Sequence, residues 1–245
     1  VRVGRALSLA LGRSGRPVAV HYRSSRAEAE AVAAEIRAGG GQAAAVMADL
    51  EDPEAAAGLL EAAEAAVGPL GLLVNNAARF DRDEARSFTA NDFQSHMVPN
   101  LLTPLLLAQG FARAARSAAE AGEDPSIVNI LDQRVLRPNP QFFTYALSKA
   151  GLHAATVTMA QAFAPEVRVN AVAPGPTLPS VHQSPRDFEA EAQGVLLQRP
   201  AALADLVAAV LYLAGARSVT GQVIAVDCGQ HLGWRTPDLA PADHD

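Results

Sequence analysis

A chain of 245 residues with 49% hydrophobic side chains carries enough apolar material for one large core, and 20 basic against 26 acidic residues leave a net charge of −6. No basic block is present to neutralise a phosphate backbone, which argues against nucleic acid as a partner, and the longest apolar run near the C-terminus, 206–216, falls short of the roughly 20 residues of a membrane span. A single cysteine, Cys228, excludes an intrachain disulfide, and with nothing resembling a secretory signal at the N-terminus the expected compartment is the cytoplasm.

Taken in chain order, short apolar runs at 18–21, 43–48, 70–75, 127–131, 167–172 and 223–226 read as strands buried on both faces. Ala-rich amphipathic stretches at 24–38, 53–67, 91–121, 145–163 and 201–214 read as the helices between them. Strand and helix in alternation predict an α/β fold, a single doubly wound parallel sheet over residues 1–234. The punctuation agrees, since glycines at 39–41 end one helix and Asp52-Pro53 begins another. Residues 235–245, with Pro237 and Pro241 among aspartates, are expected to form a mobile tail.

Ligands of such a sheet sit beyond the C-terminal ends of its strands. The positions of interest are therefore 21–25, 49–50, 75–80, 132–134 and 174–177. Tyr145 and Lys149, four apart on a helix, share one face. Lys149 is the only lysine, all other Lys/Arg positions being arginine, so the site demands a compact ammonium rather than a guanidinium. Such an ammonium would lower the pKa of Tyr145 and bind a cofactor ribose, leaving the tyrosine to give a proton to a substrate that receives hydride.

The stretches Asn75-Asn76-Ala77-Ala78, Tyr145-Ala146-Leu147-Ser148-Lys149 and Val169-Asn170-Ala171-Val172-Ala173-Pro174-Gly175 resemble, in order, the signatures of the short-chain dehydrogenase/reductase family. The resemblance implies a Rossmann-type fold, a homodimer or homotetramer, and cofactor support from Asn76 and Ala77. It further implies that Asn100 holds a proton-relay water, that Pro174, Gly175 and Thr177 approach the nicotinamide, and that 178–197, mixed in charge and with little periodicity, forms the substrate lid from Leu178 onward. The opening residues, from Val1 through Gly4 to Leu7, match only the end of the family's glycine loop. The expectation is that the first strand and most of that loop lie upstream of Val1.

After the first apolar run stand His21, Tyr22, Arg23 and Ser24 with no acid, which favours NADPH over NADH because Arg23 can take the extra phosphate. Asp49 and Leu50 follow the second run; Asp49 resembles the adenine-contacting acid of the family, or it caps a turn. Asp132 stands thirteen positions before Tyr145, where most family members carry a serine. An ionised aspartate would repel a developing alkoxide, and it suits a heterocycle that offers N–H groups. In this the chain looks similar to the pteridine reductase branch, including dihydromonapterin reductases. Arg2 and Phe80 match that branch too, and the resemblance implies that Phe80 stacks on a pterin while Arg2 meets its polar edge or a phosphate. No metal is expected. A keto reductase, such as a 3-oxoacyl carrier-protein reductase, is the alternative, and a catalytically silent NADP-binding protein a third reading. Cys228, where the family usually has a glycine, reads as a structural variation.

Overall fold

The computed structural model describes residues 2–120, 124–180 and 182–234. The expected tail 235–245 lies outside the described residues. The chain runs α1 (Val3–Arg13), β1 (Val18–Tyr22), α2 (Arg26–Ala38), β2 (Ala43–Met47), α3 (Pro53–Ala57), α4 (Leu59–Val67), β3 (Leu72–Asn75) and α5 (Ala90–Met97). A π-helical turn at Val98–Leu102 then leads into α6 (Thr103–Glu120). There follow β4 (Ser126–Ile130), a 3-10 turn (Gln133–Val135), α7 (Phe143–Phe163), β5 (Arg168–Pro174), α8 (Pro185–Gly194), α9 (Leu203–Gly215), β6 (Val223–Val226) and a second 3-10 turn (Gln230–Leu232).

Every strand pairing is parallel, yet the ladder is in two pieces: β1 pairs with β2, and β3-β4-β5-β6 form a separate sheet. The single sheet expected from the sequence is thus interrupted between β1 and β3. The two pieces share a core, because Val18 and Val20 of β1 pack in one cluster with Leu72 and Val74 of β3, Leu9 and Leu11 of α1 and Val32 and Ile36 of α2.

Alternation along β4 shows why helices cover both faces. Ile127 and Val169 join Phe111 of α6 and Met159 of α7 on one side. Val128, Ile130 and Val172 join Leu7 of α1 and Leu206, Val210 and Leu213 of α9 on the other. Side chains two apart on a strand share a face, so continuous apolar runs supply both layers. Burial on both faces holds for β4 and nearly all of β5 but not for β1, β3 or β6, which are half-buried along most of their length, nor for β2, which runs from buried Ala43 to exposed Met47.

Three helical expectations are corrected. Residues 53–67 make two helices rather than one, broken at Gly58, a poor helix former. The stretch 91–121 is α5, the π turn and α6 in succession. Within 178–197, read as unperiodic, α8 forms on a capping box in which Ser184 and Asp187 satisfy each other's backbone N–H groups.

Candidate active site

The C-terminal end of β4 and the start of α7 bring the catalytic candidates together. The Tyr145 hydroxyl donates to Asp132 Oδ2 at 3.1 Å, while Lys149 Nζ donates to the Ile130 carbonyl at 2.7 Å and lies 5.9 Å from the Tyr145 ring centroid. Lys149 is 2% exposed, and burial lowers its pKa to about 8. Burial, with the Asp132 carboxylate beside it, holds the Tyr145 hydroxyl well above its ordinary value. The expected lowering of that hydroxyl by Lys149 is overruled by desolvation, which acts on both groups. Tyr145 therefore keeps its proton until a partner takes it.

Asp132 is heavily engaged. Its Oδ1 accepts from the Arg134 backbone N–H at 2.8 Å, which caps the 3-10 turn, and Arg134 Nη1 lies 3.2 Å from Oδ1 and 3.1 Å from Oδ2. The Arg134 guanidinium carbon sits 5.4 Å from the Phe142 ring centroid and 5.9 Å from that of Phe80. Phe80 stacks on Phe142 with centroids 4.2 Å apart and meets Tyr145 edge-on at 4.6 Å. Phe80 is thus packed against the Tyr145 ring, and His182 secures it by a 2.8 Å bond to its carbonyl oxygen. Sequence reasoning placed Arg134 among the strand-end positions without a role for it, and missed Phe142 and His182. The Asp-x-Arg spacing and the aromatic residue three before the tyrosine are the signals that point to the first two.

The loop bearing Phe80 is bolted to the catalytic helix. Asp83 accepts the Thr144 backbone N–H at 3.1 Å and the Thr144 hydroxyl, so a carboxylate from the loop covers the positive end of α7. His96, fully buried, accepts the Asp81 N–H at Nε2 (3.1 Å) and pairs through Nδ1 with Thr144 Oγ1 (2.7 Å). Asn100, on the π turn, accepts the Arg79 N–H and donates to the Arg79 carbonyl at 2.9 Å and to Ser148 at 3.1 Å. Its side-chain amide thus clasps the loop that carries Phe80.

At the cofactor end the geometry is mixed. Gly4 opens α1 where an added Cβ would come within 3.0 Å of Asn76 Nδ2, so glycine lets the helix start approach Asn76. Asn75 ties β3 to β4 by donating to Asn129 at 2.9 Å. Gly175 is needed where the end of β5 passes Asp227, since its Cβ would lie 2.7 Å from the Asp227 backbone, and Thr177 donates to the Gly175 carbonyl at 3.1 Å. Pro174 ends β5 half-buried, and Ala77 is exposed.

Other candidates are occupied locally. His21 bonds the Ala48 carbonyl at 2.9 Å, and burial lowers its pKa, which makes it a brace between β1 and the end of β2. Tyr22 is half-buried, Ser24 is exposed, and Arg23 pairs with Glu51, which also attracts Arg79. Asp49 accepts the Glu51 N–H at 2.9 Å, the turn-capping option, and the Leu50 carbonyl accepts the Thr103 hydroxyl at 2.8 Å. Arg2 donates to the carbonyls of Leu178, at 2.7 Å, and Pro179, which ties the start of α1 to the chain after β5.

Comparison with known proteins agrees with this layout. The family described as Enoyl-(Acyl carrier protein) reductase matches residues 3–231. Among solved structures, the FolM alternative dihydrofolate reductase 1 from Brucella suis in complex with NADP is 45% identical, with a TM-score of 0.93 and coverage of 98% of this chain and 95% of that one. Its counterpart from Brucella canis, also complexed with NADP, is 44% identical with a TM-score of 0.90, covering 98% and 94%. The promiscuous reductase LugOII, which catalyses keto-reduction at C1 during lugdunomycin biosynthesis, is 30% identical with a TM-score of 0.85 over 94% of each chain. With its parallel α/β core, its Tyr145 and Lys149 on one helix face and this match over nearly its full length, the chain belongs to the short-chain dehydrogenase/reductase family of NAD(P)H-using oxidoreductases.

Proposed function

We propose that this chain is an NADPH-dependent reductase of a pterin-like heterocycle, acting on the C=N bond of a dihydropterin or dihydrofolate. The observation that carries the reading is the Tyr145–Asp132 pair beneath the Phe80–Phe142 stack, an acid and a flat aromatic wall where a ketone reductase needs a neutral donor. The likeness to the two Brucella enzymes supports it.

The residues present fit a nicotinamide cofactor. The first turn of α1 carries no acidic side chain to oppose a pyrophosphate at its positive end. The Lys149 ammonium, with the Ile130 carbonyl as its acceptor, has further donors for a ribose. Arg23 and Arg79 place two cations around Glu51 near the end of β1, which suits a 2′-phosphate. When bound, the cofactor supplies a hydride to the substrate carbon. The Tyr145 hydroxyl gives its proton to the adjoining nitrogen, and Lys149 stabilises the phenolate left behind. Phe80 fixes the plane of the ring and excludes water.

Exposed Leu102, Leu106, Leu147 and Val157 on the π turn, α6 and α7 support assembly into a homodimer or homotetramer that covers them. No helix among the described residues is long and apolar enough to cross a membrane, and we place the enzyme in the cytoplasm. The likeness to LugOII favours keto reduction as the second reading. The deciding assay follows loss of NADPH absorbance with dihydrobiopterin, dihydrofolate and an acetoacetyl thioester. Turnover of the thioester alone overturns the heterocycle reading.

A further inference from the structure

The expectation that Asp132 receives substrate N–H groups meets an obstacle in its own bonding. Oδ1 already takes the Arg134 backbone N–H and Nη1, and Oδ2 takes Nη1 and the Tyr145 hydroxyl. A carboxylate offers about four lone-pair directions, so these contacts fill it. A substrate donor could enter only by displacing Arg134 or Tyr145. The donors left to meet a ligand in this corner are the Lys149 ammonium and the Arg134 guanidinium, since the one proton of the Tyr145 hydroxyl is given to Asp132.

Arg134 has a second singular feature. Its Nε is buried with no acceptor, although the guanidinium lies against the rings of Phe80 and Phe142 and the side chain is 15% exposed. A buried donor without a partner costs its full desolvation, and a ligand that supplies an acceptor recovers that cost. A planar, delocalised cation against aromatic rings is also the form of positive charge best suited to sit beside a flat ligand.

We propose that Arg134 is a specificity-determining residue that binds an acceptor oxygen of the substrate, with Asp132 as the group that orients the guanidinium. This rests on the heterocycle reading of the site and deepens it, because it selects heterocycles that present oxygen rather than nitrogen donors toward the 3-10 turn. The oxygen is a ring carbonyl or the carboxylate of a folate-type tail, and both offer the same chemistry to a guanidinium.

The test is calorimetric titration of the NADP complex with pterin, which has the ring carbonyl alone, and with folate, which has the carbonyl and the carboxylates. Wild type, Arg134→Met and Arg134→Lys are compared, with the melting temperature and NADP affinity of each variant confirming an intact fold. We expect Arg134→Met to weaken binding at least tenfold and Arg134→Lys to restore part of the loss. Loss for both ligands assigns the ring carbonyl, and loss for folate alone assigns the tail. Unchanged affinity for both overturns the proposal. If the wild type binds neither, the heterocycle reading falls, and the same titration with a 2-keto acid and its methyl ester decides the matter. A preference for the acid that vanishes in Arg134→Met upholds the role of Arg134, and the absence of any preference overturns it.

Discussion

The two ends of the site are built on opposite principles. At the catalytic end, β4 and nearly all of β5 are buried, and Asp132, Tyr145, Lys149 and Asn100 are held by short bonds to backbone or to one another. At the proposed cofactor end, β1 is half-buried past Val18 and β2 ends exposed at Met47, and Arg23, Ser24 and Glu51 stand on an exposed rim whose ion pairs solvent screens. The difference teaches where precision is needed. Proton and hydride transfer tolerate little misplacement, so their groups are packed in. In the proposed reading a phosphate is caught at the other end by charge, which acts across an exposed rim without close packing.

The largest losses are expected at the buried end. Tyr145→Phe removes the proton donor and Lys149→Arg puts a guanidinium in a closed ammonium site; turnover should fall by ~10²–10⁴ in each while NADPH still binds. Near-normal rates in folded protein would remove these residues from the mechanism. Next in size is Asp132→Ser. Serine can still cap the 3-10 turn, so the change isolates the carboxylate, and pterin turnover should drop by ~10²–10³ while any trace activity on a small diketone holds or rises. Parallel loss on both substrates would show that Asp132 serves the fold or Tyr145 in general.

At the exposed end the effects are smaller and include a gain. Arg23→Ala should weaken NADPH by about ten- to a hundredfold and leave NADH almost unchanged. Because Glu51 competes for Arg23 and Arg79, Glu51→Gln should tighten NADPH, by up to about tenfold. Equal shifts for NADPH and NADH in fluorescence titrations would make the pair structural. The pH dependence comes next. Reduction needs the charged Lys149, whose lowered pKa is about 8, so the rate should be flat below that value and fall about tenfold per unit above it. A rate that stays flat to pH 10 would mean the ammonium is dispensable.

The smallest effect concerns Cys228. Its φ of 52° is left-handed, where a side chain costs roughly 1–2 kcal/mol. Cys228→Gly removes that strain but adds chain entropy, for a net gain of up to ~1 kcal/mol, read as a rise in melting temperature. A fall would show that the thiol packs better than its backbone suggests.

What the sequence made legible follows the same division. The strand ends and the Tyr145–Lys149 pair could be read because buried runs and short spacings leave local marks, whereas Phe80 was singled out by the family resemblance. Arg23 was visible as a cation, but its pairing with Glu51 joins two strand ends far apart in the chain, and no local pattern announces it. Arg134 stood in the strand-end window 132–134, but its role escaped because a guanidinium two residues from an acid looks like a surface pair until Phe80 and Phe142 arrive from other segments. The helix α8 was legible, through Ser184-x-x-Asp187, and was passed over because its charged face has little apolar rhythm. The break in the ladder between β1 and β3 leaves no trace in either strand's composition.

The wide turn at Val98–Leu102 has a meaning for how this sequence can change length. An α-helix advances ~100° per residue, so the extra residue accommodated there sets the rotational phase of all of α6 against α5. Deleting one residue between 98 and 102 would leave a smoother helix, yet it would turn Phe111 and its neighbours off the sheet or swing Asn100 away from the Phe80 loop. Residue count in this turn is therefore constrained more tightly than residue identity, and a one-residue gap there should be far more damaging than most substitutions at the same positions.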